Sequence, residues 1–64
     1  MDKVLILGGN RYNILAIQAI KDKDIYTICI DRDENAEAKN YADEFYNIDF
    51  SNKEEVYKIA KKKI

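Results

Sequence analysis

The residues best placed for chemistry cluster at two points. Gly8-Gly9-Asn10-Arg11-Tyr12 follows a short apolar run, and Asp31 closes a second run 23 positions after Gly8. In an open α/β sheet, ligands bind outside the carboxyl ends of the strands. Glycine lets backbone approach a ligand closely, and a following helix offers free N–H groups and the positive end of its dipole. The chemistry this suggests is binding of a small anion, lined by Gly8, Gly9, Asn10 and Arg11. Arg11 stands in the first turn of the coming helix, where a cation is unfavourable, and this marks it as an anion-binding side chain. Asn10 also has a purely structural reading as the natural N-cap. Asp31 has two readings. It accepts ribose hydroxyls, as the acidic residue of a dinucleotide site does, or it is a turn aspartate bonding local backbone. The glycine fingerprint of such a site is incomplete: Gly8 fits its first position, but Asn10 and Asn13 occupy the second and third.

Other candidates receive plainer readings. Asp31, Asp33 and Glu34 are rich in carboxylates, but nothing fixes their geometry for magnesium, and a solvated loop is expected. Cys29 lies in the run Ile25 to Ile30 with no basic neighbour, so a buried, unreactive thiol is expected. One cysteine and no histidine exclude an intrachain disulfide, a Cys/His zinc centre and imidazole chemistry. No catalytic or metal-ligating residue is expected here.

The elements that must position these residues follow from the hydrophobic pattern. Val4 to Leu7 and Ile25 to Ile30 are unbroken apolar runs, expected as strands buried on both faces. Between them, Arg11 to Asp22 places Ile14, Leu15, Ala16, Ile17, Ala19 and Ile20 on a broad apolar arc at helical spacing. The segment 35–42 reads as a short second helix. Phe45 to Ile48 reads as a third strand that starts near Asp43 or Glu44. Ser51 and Glu54 suggest a capping box for a last helix with Val56, Ile59, Ala60 and Ile64 on one stripe. Lys61 to Lys63 suit the solvated carboxyl end of that helix. The expected order is βαβαβα: an α/β, three-layer, Rossmann-like fragment with a parallel sheet in order 3-2-1.

Length and composition bound the rest. The chain has 64 residues, 47% of them hydrophobic and 36% charged, with a net charge of −1. That balance gives no footprint for nucleic acid. Met1-Asp2-Lys3 and the five apolar or small residues after it are too short for a signal-peptide core. No apolar run reaches the roughly 20 residues a bilayer requires. A cytoplasmic location is expected, with neither nucleic acid nor membrane as partner. A single domain over 1–64 is expected, cut before a fourth strand. Strand 1 then lies at an edge, and an open apolar edge is a template for pairing, so a homodimer through strand 1 is also expected.

The string Lys3-Val4-Leu5-Ile6-Leu7-Gly8-Gly9-Asn10, a helix, and the pattern from Asp31-Arg32-Asp33 through Ala36, Ala38 and Ala42-Asp43 together resemble the N-terminal domain of ATP-grasp enzymes. The resemblance is strongest to carbamoyl-phosphate-synthase-like members and spans nearly the whole chain. It implies a preATP-grasp domain on the substrate side of an ATP-dependent carboxylate–amine or carboxylate–thiol ligase, inactive alone. ATP and magnesium would be held by other domains of the full enzyme, leaving no cofactor here. Gly8, Gly9, Asn10 and Arg11 would line the site of a small carboxylate or phosphorylated substrate, with Asp31 at its rim. The alternative is an NAD- or nucleotide-binding Rossmann module of an oxidoreductase or sugar-modifying enzyme.

Overall fold

A computed structural model of the chain describes residues 2–64. It is an α/β structure with one small parallel sheet and two α-helices. The strands are β1 (Lys3–Leu7), β2 (Tyr26–Asp31) and β3 (Glu44–Asn47), side by side in the order β1-β2-β3. Both pairings are parallel. Helix α1 (Arg11–Lys21) joins β1 to β2, and helix α2 (Lys53–Lys63) follows β3.

The register explains the layers. Ile6, Cys29 and Phe45 stand in one row across the sheet. They pack with Ile14 and Ile17 of α1 and with Ala38 and Ala42. Leu5, Ile28 and Glu44 form the next row and face the opposite way. There Lys63 of α2 reaches Glu44 at 3.2 Å, so α2 covers the second face. Ile28 and Ile30 are fully buried on that side. The central strand is therefore buried on both faces over Thr27 to Ile30, as its mostly apolar sequence requires.

Four expectations fail locally. The segment 35–42 is not an α-helix: a single 3-10 turn, Glu37–Asn40, carries the chain from β2 to β3. Ala36 and Ala38 are buried, and both pack closely on Gly9. The apolar arc of α1 is also broader than its buried face. Ile14 and Ile17 are buried, but Leu15 is 61% exposed, and Ala16 and Ala19 are exposed as well. Finally, α2 is capped by Asn52, whose side chain accepts from the Glu55 N–H, and not by Ser51 with Glu54. Asp49 causes the shift. Its carboxylate accepts from the Ser51 N–H at 2.9 Å and its carbonyl from the Asn52 N–H at 2.9 Å, so a turn occupies 49–52 before the helix opens. Ile64, expected on the stripe, is 62% exposed.

A polar cluster fixes α2 to the sheet. Glu44 Oε1 accepts from the Tyr46 hydroxyl at 2.6 Å and pairs with Lys63. The Tyr46 and Tyr26 hydroxyls, then Lys63, hold the Glu44 carboxyl at about 2, against an ordinary 4.5. The folded state thus binds this proton less readily than the unfolded chain. Its stabilisation is complete above pH 4.5 and is lost as pH falls through about 2. Urea midpoints measured from pH 6 to pH 2 should show the gap between the natural chain and Glu44→Gln closing across that window. A gap independent of pH would contradict the cluster's role.

Candidate functional site

Helix α1 starts where the candidate site lies. Asn10 is extended, and its side-chain oxygen accepts from the Asn13 N–H at 3.0 Å, the expected N-cap. The N–H groups of Arg11 and Tyr12 open the first turn and have no intrahelical acceptor. Beside them is a cleft of about 320 Å³ lined by Gly9, Asn10, Arg11, Asp31, Asp33, Asn35, Ala36 and Glu37. Gly9, Asn10, Arg11 and Asp31 are thus brought together at the carboxyl ends of β1 and β2. Gly8 is not part of the lining.

The two glycines have structural roles. Gly8 has φ of +99°, a conformation that L side chains rarely adopt. Its N–H donates to the Ile30 carbonyl at 2.7 Å, and its carbonyl accepts from Asn13 Nδ2 at 2.6 Å. Asn13, at the third position of the incomplete fingerprint, is therefore a latch on the loop. Gly9 is needed for space. A Cβ there would lie 3.0 Å from the Cβ atoms of both Ala36 and Ala38, and 3.3 Å from Asp31 Oδ2. Gly9→Ala should therefore cost about 1–3 kcal/mol through overpacking. Chemical denaturation should show this loss, and a neutral result would mean that the Ala36–Ala38 loop is free to move away.

Asp31 clamps the loops. Its Oδ2 accepts from the Gly9 N–H at 2.6 Å and its Oδ1 from the Asp33 N–H at 2.8 Å. The turn-aspartate reading is the one the geometry favours, extended by a long-range bond to Gly9. Asp33 repeats the device, since its Oδ1 accepts from the Asn35 N–H at 2.9 Å. Farther along the same pattern, Asp43 Oδ2 accepts from both the N–H and the hydroxyl of the fully buried Thr27, at 2.8 and 3.1 Å. Those bonds, the Thr27 N–H first, hold the Asp43 carboxyl below its ordinary range, and Lys21 at 3.7 Å adds to the effect. The spacing Asp31-x-Asp33-x-x-Ala36-x-Ala38-x-x-x-Ala42-Asp43 is thus a set of clamps and small packing residues. Asp31, Ala36 and Ala38 close on Gly9, Asp33 bonds within its own turn, Ala42 packs on the core and Asp43 binds Thr27.

What remains for a ligand is specific. Arg11 and the open amides of the α1 N-terminus offer positive charge and donors. Asp31, Asp33 and Glu37 bring three carboxylates to the same lining, so an anionic group could be held only at Arg11 and the helix start, away from them. Among the described residues, no group of three or more carboxylate or thiol side chains is placed to hold a metal ion. Cys29 is fully buried on the α1 side, and burial, aided by Asp31, pushes its thiol up to about 11, which leaves it unreactive.

Protein-family models, curated protein sequences and solved structures give no match to this chain. The lining residues missed in the sequence are Asp33, expected only in a solvated loop, and Asn35, Ala36 and Glu37. Their signal was the small-residue spacing around Ala36 and Ala38, which marks a close backbone approach. No helix among the described residues is long and apolar enough to cross a membrane.

Proposed function

We propose that this chain is a Rossmann-like preATP-grasp domain, the substrate side of an ATP-dependent carboxylate–amine or carboxylate–thiol ligase of the carbamoyl-phosphate-synthase-like kind. It works in the cytoplasm and binds a small carboxylate or phosphorylated substrate. ATP and magnesium are held elsewhere in the full enzyme. The observation that supports this reading most is the cleft at the carboxyl ends of β1 and β2, which brings Arg11 and the α1 N-terminus together with Gly9, Asn10 and Asp31. Asn10 shapes the helix start, and Gly9 and Asp31 hold the cleft's walls in place. Positioning and charge neutralisation are the domain's contribution to such chemistry.

The nucleotide-binding alternative asks Asp31 to receive ribose hydroxyls on the second lone pair of oxygens that each already accept one backbone N–H. Calorimetry with ATP and magnesium separates the readings. The substrate-side reading expects no magnesium-dependent nucleotide binding by the chain. Tight, magnesium-dependent binding would overturn it.

A further inference from the structure

The Gly8–Gly9 peptide is gripped at both ends. Its carbonyl accepts from Asn13 Nδ2 at 2.6 Å, and its N–H donates to Asp31 Oδ2 at 2.6 Å. The Gly8 N–H is committed as well, to the Ile30 carbonyl at 2.7 Å. The glycine loop after β1 therefore offers the cleft no free amide from either glycine.

In loops that cradle anions, glycine allows close approach and successive backbone N–H groups supply the bonds. Gly9 has the features of such a position. It is buried, and it directly precedes Asn10, the N-cap of α1. Yet the acceptor on its N–H is a side chain of the chain itself. The bond is charge-assisted, and Asn13 holds the peptide from its other side, so two side chains fix where the Gly9 N–H points. Asp31 lines the same cleft as Gly9 and Arg11. Of the three carboxylates in that lining, Asp31 is the one bonded to the glycine loop.

We propose, resting on the reading of the cleft as an anion site, that Asp31 is a built-in anion of the glycine loop: it holds the Gly9 N–H in place of a ligand oxygen, and its charge makes the cleft favour a carboxylate over a phosphate. A phosphate monoester carries about −1.5 to −2 charges at pH 7, so Asp31 repels it up to twice as strongly as it repels a carboxylate. The contact that holds the loop is thus also the one that weakens an incoming anion.

The test is an NMR titration at pH 7 of the natural chain, Asp31→Asn and Glu37→Gln, with ribose 5-phosphate and with ribonate, a sugar carboxylate. Asp31→Asn keeps an oxygen for Gly9 and removes the charge. It should bind ribose 5-phosphate about tenfold more tightly and ribonate about threefold more tightly, because the lost repulsion scales with the ligand's charge. Tighter binding by a less stable variant is a combination that a purely structural role for Asp31 does not give. The Gly9 amide resonance should move little in the natural chain and in Glu37→Gln, and should move with those of Arg11 and Tyr12 in Asp31→Asn. Unchanged or weaker binding by folded Asp31→Asn, equal gains for the two ligands, or the same gains in Glu37→Gln would each overturn the proposal. So would a Gly9 resonance that already moves with those of Arg11 and Tyr12 in the natural chain, a result that does not depend on how well Asp31→Asn folds. Arg11 and Tyr12 resonances that move in none of the three proteins would overturn the anion-site reading itself, and the proposal with it.

Discussion

Replacing Asp31 with alanine should lower stability by about 3 kcal/mol and open the loop over Gly9. Two charge-assisted bonds are lost, and bonds to charged groups each contribute about 1.5–3 kcal/mol. The bond at Asp33 is exposed and contributes less, while the one at Gly9 is partly buried. Gly9 itself is buried, so its N–H is left without an acceptor in a site water reaches poorly. Urea denaturation gives the size of the loss, and faster hydrogen exchange at the Gly9 amide gives its place. Asp31→Asn keeps one carbonyl oxygen and should fall between the natural chain and the alanine variant. If Asp31→Ala leaves both the midpoint and Gly9 exchange unchanged, the clamp is not a determinant of the site.

The second large effect is expected at Ile17. This side chain is fully buried between α1, β2 and the 3-10 turn, in the cluster with Ile14, Cys29 and Ala38. Ile17→Ala removes buried methyl and methylene groups and leaves a cavity, at about 2–5 kcal/mol. A 64-residue chain holds about 3–10 kcal/mol in all, at roughly 0.05–0.15 kcal/mol per residue. The variant should therefore be substantially unfolded or lose most of its urea resistance. Leu15→Ala is the control. It lies two residues away on the same sequence arc but is 61% exposed, so its change should stay within about 0.5 kcal/mol. Equal losses at the two positions would mean that α1 packs with a different face toward the sheet.

The contrast between Leu15 and Ile17 shows where sequence reading runs out. The three strands and two helices were legible because each apolar run has the length and periodicity of its element. The buried side of α1 was not, because Leu15, Ala16 and Ala19 satisfy the same helical spacing as Ile14 and Ile17. Tertiary packing decides which of them meets the sheet: Ile14 and Ile17 join Cys29 and Ala38, with Ile6, Ala42 and Phe45 against them. The cap of α2 moved by one residue for a similar reason: Ser51 is a good cap, but the Asp49 turn takes its N–H first. At the site, Gly9 and Asp31 were legible as special positions, though not as each other's partners. Their bond spans 22 residues, and it depends on the parallel register that sets Leu7 beside Ile30. Asn13 gave no signal, since nothing local distinguishes a latch on Gly8 from an exposed helix asparagine.

These residues also divide the site into frame and contact. Gly8, Gly9, Asn13, Asp31 and Ala36 build the cleft, and changes there act on stability before they act on binding. Arg11 is exposed, so its removal leaves the fold intact while removing the cleft's positive side chain.

The central claim is that this cleft binds a small anionic molecule through Arg11 and the α1 N-terminus. An NMR titration of the natural chain and Arg11→Ala with ribose 5-phosphate, and with ribose as the uncharged control, tests it most directly. The account predicts that the Arg11 and Tyr12 amides shift with the phosphate compound, do not shift with ribose, and lose most of their response in the well-folded Arg11→Ala variant. Shifts that are absent from these amides, or equal with ribose, or untouched by Arg11→Ala, would contradict it.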